Sequence, residues 1–135
     1  MAQVTHLFDS SALLCWYFQE PGFERLVHRI EDDEAEIALS ALSLMEFWSV
    51  LKREGREAEV LSEWESLRPM FADILPADEA VGQRALILRQ STTARIPAID
   101  ALIAATAAVH GAVLVHRDPH FRAIPENLLR QEYLG

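Results

Sequence analysis

The sequence predicts an α/β fold: one parallel β-sheet flanked by helices on both faces. Three features predict it. Short apolar strand patterns alternate with helical patterns along the chain. Each crossover between strand patterns is long enough to hold a helix, as parallel pairing requires. The stretch 96–121, IPAIDALIAATAAVHGAVLVHRDPHF, reads as a helix, a tight turn and a buried strand that ends in charge.

In chain order, residues 4–8 (VTHLF) form a first strand ending at Asp9. Asp9-Ser10-Ser11 opens a helix over 12–18, because Asp and Ser accept hydrogen bonds from the free N–H groups of a first turn. After the Pro21-Gly22 break, Phe23, Leu26, Val27 and Ile30 mark one face of a helix over 23–33. Glu31-Asp32-Asp33-Glu34 is a solvated acidic end, and EIAL at 36–39 is the second strand. A third helix, capped by Ser40 or Ser43, runs to Glu54 and stops at Gly55. Its apolar residues cover most of its circumference, so Glu46 is expected among apolar neighbours. One helix is predicted over 56–70, with Leu61, Trp64 and Leu67 on its buried face. ADIL at 72–75 is the third strand, and Ala77-Asp78-Glu79 starts a helix to Gln90.

Pro97 suits a first helical position, and the apolar run that follows ends at Gly111, which enters the left-handed conformation freely. Residues 112–115 are the fourth strand, with Asp118 just beyond it. Residues 128–134 are an edge strand or a tail.

The 135 residues fit one domain spanning 1–135, and half of them are hydrophobic, enough for a sizeable core. No run approaches the roughly 18 apolar residues of a membrane helix, so no membrane association is expected. MAQVTHLFD has neither a basic n-region nor an apolar h-region, which predicts no secretion signal. A single cysteine, Cys15, excludes an internal disulfide and is expected in the core of a cytoplasmic protein. The net charge of −9 argues against a general nucleic-acid-binding module, whose affinity comes from neutralising phosphates, but leaves room for an enzyme that meets RNA locally. All the cations except Lys52 are arginines.

In a parallel sheet, sites form beyond the carboxyl ends of the strands. Asp9 and Asp118 follow strands, Asp100 lies in the first turn of a helix on an apolar stripe, and Glu46 lies in the helix after a strand. Four clustered carboxylates repel, and a divalent cation relieves that repulsion. Mg²⁺ or Mn²⁺ prefers oxygen ligands and keeps several waters. Such a site suits phosphodiester hydrolysis by a metal-activated water better than structural metal binding.

These segments, taken together, resemble the PIN-domain family, and specifically the VapC-type toxins of bacterial toxin–antitoxin pairs. The resemblance rests on the strand ending in DSS, the helix SALSLMEF with its glutamate, the helix IPAIDALIAATA, and the strand AVLVHRDPHF. It covers almost the whole chain. It implies an α/β/α sandwich and a Mg²⁺- or Mn²⁺-dependent endoribonuclease. Asp9 and Asp100 match the usual direct metal ligands, Glu46 the second acidic position, and Asp118 the aspartate of the usual T-x-D. Ser11 matches the small hydroxyl residue that orients the carboxylates. Asp118 and Glu46 would complete the metal shell or bind its waters, Glu46 would accept a proton, and cleavage would leave a 3′-hydroxyl and a 5′-phosphate. Arg117, beside the site, is a candidate phosphate contact. The chain departs from the family at His116, where Thr is usual, and at His120, where many members have a further Asp. Both histidines are expected on the polar rim; the alternatives are contact with RNA phosphate, proton shuttling or, with Asp118, a softer metal such as Zn²⁺.

The resemblance further implies a cognate antitoxin, homodimerisation and an RNA substrate, whether tRNA, rRNA or mRNA. Trp16, Tyr17, Phe18, Phe47, Trp48 and Trp64 are core residues or, in part, a groove for an antitoxin helix. Two alternatives are a PIN-type nuclease without an antitoxin and a catalytically inactive PIN-like binding domain. A receiver-like Mg²⁺ domain is disfavoured, since Asp9 has no acidic neighbour and no Lys follows position 52.

Overall fold

Five parallel strands form the middle layer of the computed structural model, which describes residues 3–135. Met1 and Ala2, the start of the stretch read for an export signal, lie outside the described residues. The strands are β1 (His6–Phe8), β2 (Ile37–Ser40), β3 (Asp73–Leu75), β4 (Val113–His116) and β5 (Gln131–Tyr133). Their order across the sheet is β3-β2-β1-β4-β5, and every pairing is parallel. The helices are α1 (Ser10–Tyr17), α2 (Phe23–Glu31), α3 (Ser43–Arg53), α4 (Val60–Leu67), α5 (Glu79–Gln90) and α6 (Ala98–Val109).

The period-two alternation of the strands builds the two helical layers. Leu7, Ala38 and Leu114, in register across β1, β2 and β4, share a core with Val81, Ala85 and Leu88 of α5 and with the alanine-rich face of α6. Their successors Phe8, Leu39 and Val115 enter a second core with Leu13 and Cys15 of α1, Leu26 of α2, Phe47 and Leu51 of α3, and Trp64 of α4. The chain is thus an α/β/α sandwich. Each fully buried Leu or Phe of these layers contributes about 1.5–3 kcal/mol. Gly111, with φ of 64°, turns the chain from α6 into β4 as the sequence predicts. Among the described residues, no helix is long and apolar enough to cross a membrane.

Several predicted boundaries are corrected. The helix expected over 56–70 is three pieces: 3₁₀ turns at Glu57–Glu59 and Arg68–Met70 flank the shorter α4. Pro69 lies in the second turn, where it cannot donate a helical hydrogen bond. Leu61 is 67% exposed rather than buried, while Trp64 and Leu67, with the partly buried Val60, anchor that helix in the core. Neither Ser40 nor Ser43 caps α3. Ser40 Oγ accepts the Leu42 N–H at 3.1 Å, and Ser43 Oγ accepts from the Ser10 hydroxyl at 3.1 Å. Pro97 precedes α6 as its cap residue, with ψ of 148°, and so lies one position before the first turn. The carboxy-terminal segment is an edge strand, shorter than expected. A 3₁₀ turn, Pro119–Ala123, follows β4.

Of the aromatics read as a possible groove, Phe47 and Trp64 are core, and Trp16, Tyr17 and Phe18 are partly buried against it. Trp48 is half-buried and carries the Lys52 ammonium 4.8 Å from its ring centre. The exposed large apolar residues are others, among them Met45, Leu61, Leu86 and Ile99.

Candidate active site

The chain leaves β1 toward β2 on one side and returns through β4 on the other, so the crevice between the ends of β1 and β4 is the switch point of the sheet. Asp9 stands there as the first residue after β1. It caps α1, accepting the Ala12 N–H on Oδ1 at 2.8 Å. The Ser11 hydroxyl donates to both its oxygens, at 2.7 and 2.9 Å, and accepts the backbone N–H of Arg117 at 2.9 Å. Both readings of Asp9, cap and site residue, therefore describe one geometry. At 5% exposure, burial pushes its pKa up to about 7. Hydrogen bonds from Ser11 and Ala12 pull the other way, and the charges of Asp100 and Asp118 add to the rise.

Asp100 lies in the first turn of α6, half-buried. Burial raises its pKa, and so do the charges of Asp118 and Glu46, while His120 lowers it. Asp118 caps the 3₁₀ turn after β4: its Oδ1 accepts the His120 N–H at 2.9 Å and lies 2.9 Å from His120 Nδ1. Glu46 stands in the first turn of α3 and is exposed, not enclosed by apolar neighbours as expected; the enclosed carboxylate is Asp9. Asp9, Glu46, Asp100 and Asp118 all line one cleft of about 530 Å³, whose apolar wall includes Leu14, Leu42, Met45 and Ile99.

The two histidines part company. His116 is fully buried, contrary to the rim position expected for it, with its ring 4.9 Å from Phe121 and 5.5 Å from Tyr133. Its Nδ1 accepts the Asp118 N–H at 3.2 Å, so its proton sits on Nε2, which donates to Gln131 Oε1 at 2.8 Å. Gln131 in turn donates to the Phe121 carbonyl at 2.8 Å. Burial lowers the His116 pKa, in keeping with this neutral form. Both its nitrogens are engaged, which removes it from the His–His–Asp metal set considered above. His120 is exposed, and one donor atom from each of Asp100, Asp118 and His120 lies within 4.8 Å of the others. The Arg117 guanidinium, expected near phosphate, pairs with Glu20 at 3.2 Å. What reaches the site from Arg117 is its backbone amide.

Sequence reasoning did not find Gln131, because nothing local marks a residue that acts from an edge strand 15 positions beyond its partner His116. His120 carried a signal, its spacing of two from Asp118 across a proline, which the 3₁₀ turn converts into proximity. The donor set, carboxylate oxygens in mutual repulsion with one imidazole beside them, fits a divalent cation such as Mg²⁺ or Mn²⁺.

Comparison of whole structures places the chain among known folds. It is similar to DNA-bound VapBC from Salmonella typhimurium, with a TM-score of 0.77 at 18% identity, covering 98% of this chain and 99% of that one. It is similar to FitAcB from Neisseria gonorrhoeae, with a TM-score of 0.72 at 27% identity, covering 96% and 98%. It is also similar to VapC20 of Mycobacterium tuberculosis, described as a sarcin-ricin loop cleaving toxin, with a TM-score of 0.68 at 16% identity, covering 88% and 94%. No curated protein sequence matches the chain. The profile of the PIN domain matches residues 7–127, a span that runs from β1 past Asp118, and the chain accordingly belongs to the PIN-domain family.

Proposed function

We propose that this chain is a Mg²⁺- or Mn²⁺-dependent endoribonuclease, and the toxin of a toxin–antitoxin pair. The observation that carries the proposal is the convergence of Asp9, Glu46, Asp100 and Asp118 on one cleft at the switch point of a PIN-family sheet. The described residues, 3–135, form its one domain, and the enzyme works in the cytoplasm.

Asp9 and Asp100 would hold the cation, and Asp118 and Glu46 would complete its shell or bind its waters. When bound, the cation stabilises charge on the phosphoryl oxygens and acidifies an attacking water. Ser11 fixes the orientation of both Asp9 oxygens, so the carboxylate is set before substrate arrives. Asp118 is held from two sides, its backbone by His116 and its carboxylate by the His120 amide. Glu46, exposed on the cleft wall, accepts the proton of the attacking water.

A cognate antitoxin and homodimerisation are proposed from the likeness to VapBC and FitAcB. The rim supports a protein partner: Met45 is 66% exposed and Ile99 more than half exposed, beside four acids. A partner bearing apolar side chains and a cation would cover both. RNA as substrate agrees with the similar VapC20, described as a sarcin-ricin loop cleaving toxin.

The test is cleavage of total cellular RNA by purified protein with Mg²⁺ or Mn²⁺, against EDTA, beside Asp9→Asn and Asp100→Asn. Metal-dependent cleavage lost in both variants is expected. Near wild-type cleavage by either variant overturns the assignment, and EDTA-resistant cleavage overturns the metal.

A further inference from the structure

We infer that His120 is itself a ligand of the cation, and that its imidazole nitrogen makes the site prefer Mn²⁺ to Mg²⁺; this rests on the metal-dependent reading above. The geometry carries it. Donor atoms of Asp100, Asp118 and His120 lie within 4.8 Å of one another, and His120 Nδ1 is 2.9 Å from Asp118 Oδ1. Neighbouring ligands of a six-coordinate ion with bonds of about 2.1 Å stand about 3 Å apart. The Asp118–His120 pair already has the spacing of one edge of such a shell.

Local structure explains how a short segment achieves this. Pro119 fixes its own φ and starts the 3₁₀ turn, and Asp118 caps that turn by accepting the His120 N–H. The turn that brings the His120 amide back onto Oδ1 also brings its ring back onto the same oxygen. The ring is solvent-exposed, with a side-chain exposure of 59%, so core packing does not account for its position. His116, four residues earlier, cannot substitute for it, because both its nitrogens are engaged within the fold.

The chemical consequence is selectivity. Mg²⁺ takes oxygen ligands almost exclusively, whereas Mn²⁺ accepts oxygen and imidazole nitrogen together and stands at the foot of the transition-metal affinity order. A site of carboxylates plus one imidazole therefore binds Mn²⁺ more tightly than Mg²⁺, by on the order of tenfold.

The test uses the full chain stripped with EDTA and Mn²⁺ alone as the probe, with Mg²⁺ as competitor. Electron paramagnetic resonance counts bound Mn²⁺, and pulsed measurement reads ¹⁴N coupling from a coordinated imidazole. Wild-type protein is expected to bind Mn²⁺ with ¹⁴N coupling. His120→Asp should bind without it and shift the Mn²⁺-to-Mg²⁺ preference toward Mg²⁺ by on the order of tenfold. Asp100→Asn tests whether binding occurs at this centre, and loss is expected. Mn²⁺ bound without ¹⁴N coupling, or coupling that survives His120→Asp, overturns the role of His120 and leaves the nuclease reading standing. No Mn²⁺ binding by wild-type protein overturns both.

Discussion

The Ser11 hydroxyl donates to both carboxylate oxygens of Asp9, at 2.7 and 2.9 Å, while accepting the backbone N–H of Arg117 at 2.9 Å. One side chain thus ties the exit of β1 to the exit of β4. Ser11→Ala leaves the Arg117 amide and much of the Asp9 carboxylate without their partner. A loss of about 1–3 kcal/mol in urea unfolding is expected. RNA cleavage should fall by roughly tenfold or more, since a 1.4 kcal/mol loss of positioning is already a factor of ten. Unchanged stability would show that the hydroxyl is dispensable.

Asp9 gives a pH prediction whose sign runs against the usual carboxylate. Its pKa is raised by burial to about 7 in the fold, against 3.8 as the ordinary value. The native state therefore holds a proton that the unfolded chain has released between these values. Stability from this group is fully present below about pH 4 and is lost as pH rises toward 7. Asp9→Asn keeps an acceptor for Ser11 and Ala12 without the charge. In EDTA it should unfold at higher urea than wild type at pH 7, by up to about 4 kcal/mol, with the gap closing toward pH 4. A gap independent of pH would contradict the buried charge.

His116→Ala empties a buried ring site and frees the Asp118 amide and the Gln131 carbonyl oxygen at once. A destabilisation of about 3–5 kcal/mol is expected by chemical denaturation. His116→Gln, which retains an acceptor and a donor, should recover part of it. Equal losses in both variants would show that packing alone matters.

Leu61 and Trp64 test the corrected orientation of α4. Leu61→Glu should change stability by no more than about 0.5 kcal/mol, whereas Trp64→Ala should cost about 3–5 kcal/mol. A large loss at Leu61 would mean that this face is covered.

Much of this was legible in the sequence because the signals were local. Period-two and helical patterns gave four of the five strands and the parallel sheet, the fifth staying open as an edge strand or a tail, and Gly111 marked its turn. Asp9, Asp100 and Asp118 stood out as charges beside apolar runs. The legibility failed where the cause is tertiary. Leu61 fits a helical stripe with Trp64 and Leu67, but α4 begins only at Val60, after a 3₁₀ turn, and Leu61 in its first turn faces solvent while the other two stay buried. Glu46 has apolar neighbours in sequence yet faces the open cleft. His116 looked like a rim residue because its burial depends on Gln131 and Tyr133 of β5, a strand too short to declare itself.

The central position of β1 also has a consequence in time. His6 of β1 pairs with Val113 of β4, so the first strand made waits for nearly the last before its outer edge is filled. Asp9 is made long before Asp118 and the Arg117 amide that meet it at the crevice. Closing so distant a pair is among the slow steps of folding. A chain cut before β4 therefore carries Asp9, Glu46 and Asp100 without the crevice that would gather them.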